Sequence, residues 1–167
     1  IKAIVKKGER VDALNDGEDG EIILDVTPFY ADSGGQIGDA GSLTATSGAA
    51  HISATKAPVS KLFVHHARIT KGTLRVGDTV DAQVDADARK STMNHHTATH
   101  LLQAALQDIL GDHVHQAGSL VTPDRLRFDF THFEGIGGAR LLDIERMVNQ
   151  FIRTDTPVTI KQMDLTE

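Results

Sequence analysis

Cysteine is absent from all 167 residues, which excludes disulfides, CxxC zinc sites and a thiol nucleophile, and leaves His, Asp and Glu as the side chains able to hold a metal ion. Long apolar runs are missing as well. Nothing approaches the ~20 residues that a bilayer-crossing helix needs, and Ile1 opens directly onto Lys2-Ala3-Ile4-Val5 without the charged-then-apolar layout of a signal peptide. A chain without membrane contact, working in the cytoplasm, is expected. Positive charge is also scarce: 17 Lys and Arg against 23 Asp and Glu give a formal net charge of −6. That balance argues against a protein that grips nucleic acid mainly by neutralising phosphates. Lys6, Lys7 and Arg10, and the alternating Arg125 and Arg127, are small basic groups of the size that solvated surface commonly supplies. No repeat or low-complexity linker interrupts the chain. Its start at Ile1 and its end at Met163-Asp164-Leu165-Thr166-Glu167 read as a piece of something longer.

With 40% apolar and 24% charged residues, the chain can bury a core as one compact unit or two small ones. Residues 2–6, 21–26, 42–46, 51–56, 61–70 and 79–85 are short β-branched or alternating runs separated by Gly, Asp and Ser, the pattern of a small antiparallel barrel or sheet. From Asp87 the period becomes helical: Ala98, Leu101, Leu102, Ala105, Leu106 and Ile109 share a face, and Gly111 supplies the stop. Strands follow at about 113–121 and 125–131, where Leu126, Phe128 and Phe130 alternate with Arg125, Arg127 and Asp129 and predict one buried face. A second helix is predicted over 139–153 with Leu141, Ile144, Val148, Phe151 and Ile152 inward, then a last strand at about 158–163 after Pro157. The expected fold class is α+β. It has a mainly β, small antiparallel β-barrel-like part over 1–87 and an α+β part over 88–167 that carries the long helix.

Two groups of residues carry chemistry. His96 and His100 lie four apart on the long helix, so their rings project from one face about a turn apart, a spacing that suits two ligands of one zinc ion. Nine histidines can supply such a pair by chance, so its setting has to decide. Both point nearly opposite the apolar face, beside Gln103 and Gln107, which predicts an open polar face and leaves a solvated surface as the alternative. A zinc protease of the HExxH type is disfavoured, because Thr97 follows His96 where that motif has its general base. The second group is Thr27-Pro28-Phe29-Tyr30-Ala31-Asp32-Ser33-Gly34-Gly35-Gln36, after the apolar run Glu21–Val26. Paired Gly permits close backbone approach or positive φ, and Thr27 and Gln36 offer hydroxyl and carboxamide hydrogen bonds. The alternative is a plain Gly-Gly turn.

Three stretches in order carry a specific resemblance: T-P-F-Y-A-D-S-G-G-Q at 27–36, N-H-H-T-A-T-H-L-L at 94–102, and Q-A-G-S-L-V with R-L-R-F-D-F within 116–130. Together they resemble the editing domain of alanyl-tRNA synthetases, shared in part with freestanding alanyl-type editing proteins and with threonyl-tRNA synthetases. Ser33 before Gly-Gly-Gln looks more like the synthetase than the freestanding proteins.

The resemblance implies hydrolysis of the ester that joins serine or glycine wrongly to the tRNA for alanine, whose acceptor end is then the partner, along with the rest of the synthetase chain. His96 and His100 would hold one zinc ion. Gln36 and Thr27 would serve catalysis, Thr27 by meeting the serine hydroxyl, and Gly34 and Gly35 would line the pocket for the terminal adenosine. ATP and magnesium belong only to a ligation domain lying outside these residues. The family completes its zinc site with a Cys-x-x-x-His motif further along, and this chain has no Cys. Weak or absent zinc is therefore expected in this piece, with His95, His113, His115 and His132 as accidental substitutes at most. Two other classes remain open: a metal-independent RNA-binding module that does not turn over, and an unrelated metallohydrolase of small esters or amides.

Overall fold

Alternation in the first half of the chain is realised as eight antiparallel strands in a computed structural model that describes residues 1–157 and 159. They are β1 (Ala3–Lys6), β2 (Glu9–Val11), β3 (Ala13–Asn15), β4 (Asp19–Ile23), β5 (Gly41–Thr44), β6 (Gly48–Val59), β7 (Leu62–Arg75) and β8 (Asp81–Val84). Helix α1 (Ala86–Leu110) follows, then the hairpin β9 (Gln116–Val121) and β10 (Leu126–Phe130), and α2 (Gly138–Thr154). The class is thus α+β, as expected. The strand expected at about 158–163 lies, Thr159 apart, outside the described residues.

The chain divides into two compact units, Ile1–His96 with Gly118–Asp129, and Thr97–Ala117 with the chain from Phe130 onward. The boundary expected near residue 87 coincides with the start of α1, whereas the units part within that helix, after His96.

In the first unit the strand order is β2-β1-β4-β7-β6-β5-β8, with β3 also on β7. The expected barrel is not formed: among the described residues no pairing joins β2 to β8, and the sheet stays open. The long strand β7 organises the sheet. One edge of this long strand takes β6, while the other is divided between β4, opposite Val64–Arg68, and β3, opposite Thr73–Arg75. Register shifts in β6 at Ala49/Ala50, Ile52/Ala54 and Lys56/Val59 mark bulges, which bend such a ribbon. The end strands, three and four residues long, offer little edge to close on. Ile4, Leu14, Ile22, Leu43, Ile52, Ile69 and Leu74, all fully buried, form the core on the inward phase of these strands.

Asp85 caps α1, its Oδ1 accepting from Ala88 N–H at 3.0 Å, the ordinary N-cap bond to the third helical residue. Gly111, with φ +111°, ends the helix and donates its N–H to Gln107 O, as the sequence predicted. In the second unit Ala105, Leu106, Val114 and Ile144 are buried. Helix α2 departs from expectation: Ile144 is its one buried residue among those described, while Leu141, Phe151 and Ile152 are exposed and Val148 is half-buried. A helical stripe shows what a helix can bury, not that a partner covers it. The β10 side chains Leu126, Phe128 and Phe130 alternate as expected but are only half-buried.

Residues 24–40, between β4 and β5, form the loop that carries the Gly-Gly-Gln motif, and it is tied down along its length. Phe29 and Ala31 are buried, and Asp32 donates its N–H to Thr55 O at 2.9 Å. The Asp39 carboxylate, 5% exposed, accepts the Tyr30 N–H and a two-pronged contact from the Arg89 guanidinium, which also donates to Pro28 O at 3.1 Å. Hydrogen bonding to Asp39 holds the Arg89 pKa above its ordinary value. Removing one member of such a pair strands the other. Arg89→Met is expected to cost about 3–5 kcal/mol by leaving the carboxylate buried and uncompensated, read as a lower urea midpoint at unchanged slope, with Asp39→Asn on the same background recovering part of the loss.

Candidate functional site

The Gly-Gly-Gln turn is built against β9. Ser33 and Gln36 exchange backbone hydrogen bonds at 3.0 Å, Val121 donates its N–H to Gly35 O at 2.7 Å, and Ile37 donates to Val121 O at 3.1 Å. Both glycines take positive φ, +60° at Gly34 and +81° at Gly35. The close approach that the sequence allowed is present at Gly35, but the approaching group is the protein's own strand: a Cβ there would stand 2.7 Å from Ser119 O. Gly34 is exposed, with open space where its side chain would be.

This turn buries Gln36, 6% exposed, and aims its carboxamide at α1. His96 Nδ1 donates to Gln36 Oε1 at 2.6 Å. Because that oxygen only accepts, the proton of a neutral His96 sits on Nδ1 and Nε2 presents a lone pair, the tautomer a metal-binding histidine uses. Beside it, His95 Nδ1 donates to Thr122 O at 2.8 Å and ties α1 to the turn of the β9–β10 hairpin. The expected open polar face is therefore corrected at His96, which is half-buried against the loop. His100 is exposed, four residues further along the unbroken α1, on the stretch that belongs to the second unit.

Thr27 has a different set of neighbours. His65, fully buried on β7, donates from Nδ1 to Ile22 O at 2.9 Å, so its Nε2 accepts the Thr27 hydroxyl hydrogen at 2.8 Å. Phe29 N–H donates to Thr27 Oγ1 at 3.1 Å, and the Phe29 ring meets the imidazole edge-on at 5.3 Å. Burial pushes the His65 pKa below the usual histidine value, the backbone bond to Ile22 opposing only in part. Gln36, Gly35 and His96 are thus joined by hydrogen bonds around β9 and α1, while Thr27 belongs to a hydrogen-bonded group that ties the start of the loop to His65 of β7 and, through it, to Ile22 of β4.

A family model described as tRNA synthetases class II (A) matches residues 1–88, more than half of the chain. The chain belongs to that family. It is 48% identical over 163 residues to the alanine–tRNA ligase of Roseiflexus castenholzii, which covers 98% of this chain and 18% of that ligase. The alanine–tRNA ligase of Pseudomonas fluorescens is 48% identical over 165 residues (99% of this chain, 19% of the ligase), and that of Acidithiobacillus ferridurans 47% over 167 (100% and 19%). The chain spans about a fifth of the length of the curated relatives it matches. The resemblance carried by the three motifs accordingly holds for this class II synthetase segment along nearly all of it.

The zinc ion expected from that resemblance meets a short donor set. His96 has the right tautomer, but among the described residues no group of three or more His, Asp or Glu is placed to share a metal ion, and two imidazoles fall below the three or four ligands that hold zinc. His113 is engaged elsewhere, its Nε2 2.9 Å from His132 Nδ1 and its ring stacked on Phe133. A cleft of about 480 Å³ in the first unit, bounded by Lys6, Glu18, Asp19, Glu21, His66 and Arg68, holds none of the candidate residues. Its charges largely satisfy one another, Lys6 with Glu18 at 2.7 Å and Arg68 with Asp19 at 3.0 Å, so hydrogen bonding, not concavity, marks the candidate site. No helix among the described residues is long and apolar enough to cross a membrane.

Sequence reading passed over Asp39, Arg89 and His65. His65 could have been found, because it shares the inward phase of β7 with Ala67 and Ile69. A polar residue on an apolar phase needs partners. Two measurements follow. Metal analysis of the purified 167-residue chain at neutral pH is expected to give well under one zinc per chain, and stoichiometric zinc would overturn the two-ligand description. His65 is neutral when folded with a depressed pKa, so as pH falls below about 6.5 the unfolded chain takes up the proton first. Its contribution is complete above that pH and is lost toward the folded pKa, with a slope of up to about 1.4 kcal/mol per pH unit. Urea titrations at pH 7.0, 6.2 and 5.5 should show a shallower decline in His65→Gln than in the parent.

Proposed function

We propose that this segment is the proofreading part of an alanine–tRNA ligase, hydrolysing the ester between serine or glycine and the tRNA for alanine. The observation that carries the reading is the hydrogen bond from His96 Nδ1 to Gln36 Oε1. It joins the loop motif to the helix motif and fixes the His96 tautomer, a use of Gln36 that a solvated histidine or a plain Gly-Gly turn would not require. Similarity to alanine–tRNA ligases over 98–100% of the chain supports the same reading.

In this reading the exposed Gly34 amide and the Gln36 carboxamide meet the terminal adenosine and the ester. Thr27 meets the aminoacyl side chain, and the rest of a longer ligase chain brings the acceptor end of the tRNA. The setting is the cytoplasm. A zinc ion would take His96 Nε2 and His100 as two of its ligands and supply a Lewis acid; since the described donors stop at two, no step of the hydrolysis is assigned to it. A pocket that hydrogen-bonds a hydroxyl penalises a side chain lacking one, because its own polar groups are left unpaired. That spares alanine and explains serine; glycine removal needs a separate cause.

The short donor set is the observation that favours the second reading, a tRNA-binding module without turnover. Deacylation decides between them. The full-length ligase carrying this segment is expected to hydrolyse serine-charged tRNA for alanine, with Thr27→Val lowering serine hydrolysis about tenfold and glycine hydrolysis far less. Gln36→Ala should weaken zinc about 10–100-fold in the same protein. Binding of charged tRNA without hydrolysis would refute the proposal, and equal losses for the two esters would remove the Thr27 role.

A further inference from the structure

The Thr27 hydroxyl has one hydrogen and two lone pairs, and most of these are already engaged inside the first unit. The hydrogen goes to His65 Nε2 at 2.8 Å, because Nδ1 of that imidazole must carry its proton to satisfy Ile22 O at 2.9 Å. One lone pair receives the Phe29 N–H at 3.1 Å. A single lone pair remains on a residue that is itself half-buried. His65 has no exposure to solvent through which to exchange partners. The arrangement is directional: a backbone carbonyl sets the tautomer, the tautomer sets the hydroxyl, and the hydroxyl can then only accept.

We infer that His65 is a positioning residue for selectivity, turning Thr27 into an acceptor that recognises an aminoacyl side chain with an O–H to donate. This rests on the proofreading reading above and adds to it the polarity of the recognition. A serine side chain donates to the open lone pair. An alanine methyl offers nothing. A side chain of serine's size that carries only acceptor character places its own lone pairs against that of Thr27 and is repelled.

The probe that separates size from polarity is 3-fluoroalanine, close to serine in volume but without a donor. The full-length ligase is assayed on tRNA for alanine charged with serine or with 3-fluoroalanine. The parent is expected to prefer the serine ester at least tenfold in kcat/KM. His65→Asn keeps a donor near Ile22 O but cannot reach Thr27, so the hydroxyl hydrogen is released and the preference should fall about tenfold. His65→Gln can set an oxygen where Nε2 stands and should keep most of it. On a Thr27→Val background, His65→Asn should change the ratio no further.

A parent preference below twofold overturns the inference whether or not the variants fold. So does a His65→Asn variant that slows both esters equally, or one that still shifts the ratio without Thr27, since a merely structural imidazole would do either. Failure of the parent to hydrolyse both esters removes the proofreading reading itself, a result distinct from hydrolysis of serine with a ratio indifferent to His65.

Discussion

A buried carboxylate holds the candidate site in place. Asp39 accepts the Tyr30 N–H and the Arg89 guanidinium, and Arg89 reaches on to Pro28 O, so both ends of the loop segment 28–39 are fastened to the first turn of α1. A charge at 5% exposure is tolerable only when paired and hydrogen-bonded. The planar guanidinium meets it side-on through Nε and Nη2, a directional contact. With α1 fixed this way, His96, two turns on, meets Gln36, and His95 meets the hairpin turn at Thr122 O. The loop motif and the helix motif, 60 residues apart, become one hydrogen-bonded unit because an ion pair elsewhere sets the distance between their supports.

The glycines serve the same constraint. Gly35 takes a positive φ and leaves room for the Ser119 backbone, so the turn can lie flat on β9 and turn Gln36 inward. The site residues therefore divide by what holds them. Gln36 and His96 are held by the loop, α1 and β9, Thr27 by a fully buried imidazole on β7, while Gly34 and His100 are exposed. This separation gives the Gln36–His96 contact and the Thr27 hydroxyl independent supports. His65 contacts Thr27 and takes no part in the Gln36–His96 hydrogen bond.

The sequence determined the local elements. Alternation marked the runs that became β5, β6 and β7, the helical period marked α1 and α2, and Gly111 ended α1 where its freedom at positive φ predicted. The order of motifs also carried the family, since T-P-F-Y-A-D-S-G-G-Q and N-H-H-T-A-T-H-L-L are long enough to be specific without any geometry. Tertiary structure alone decided the rest, because periodicity records which face is apolar and not what meets it. Closure of the sheet depended on pairing between its end strands, β2 and β8, which are distant in the chain and not joined among the described residues. Of the apolar stripe of α2, Leu141, Phe151 and Ile152 remained exposed, Val148 half-buried, and Ile144 was buried. His96, polar by its helical phase, was drawn against Gln36, and His65, in phase with Ala67 and Ile69, became the partner that fixes the Thr27 hydrogen. Each of these depends on a contact between residues far apart in the chain, which no local pattern encodes.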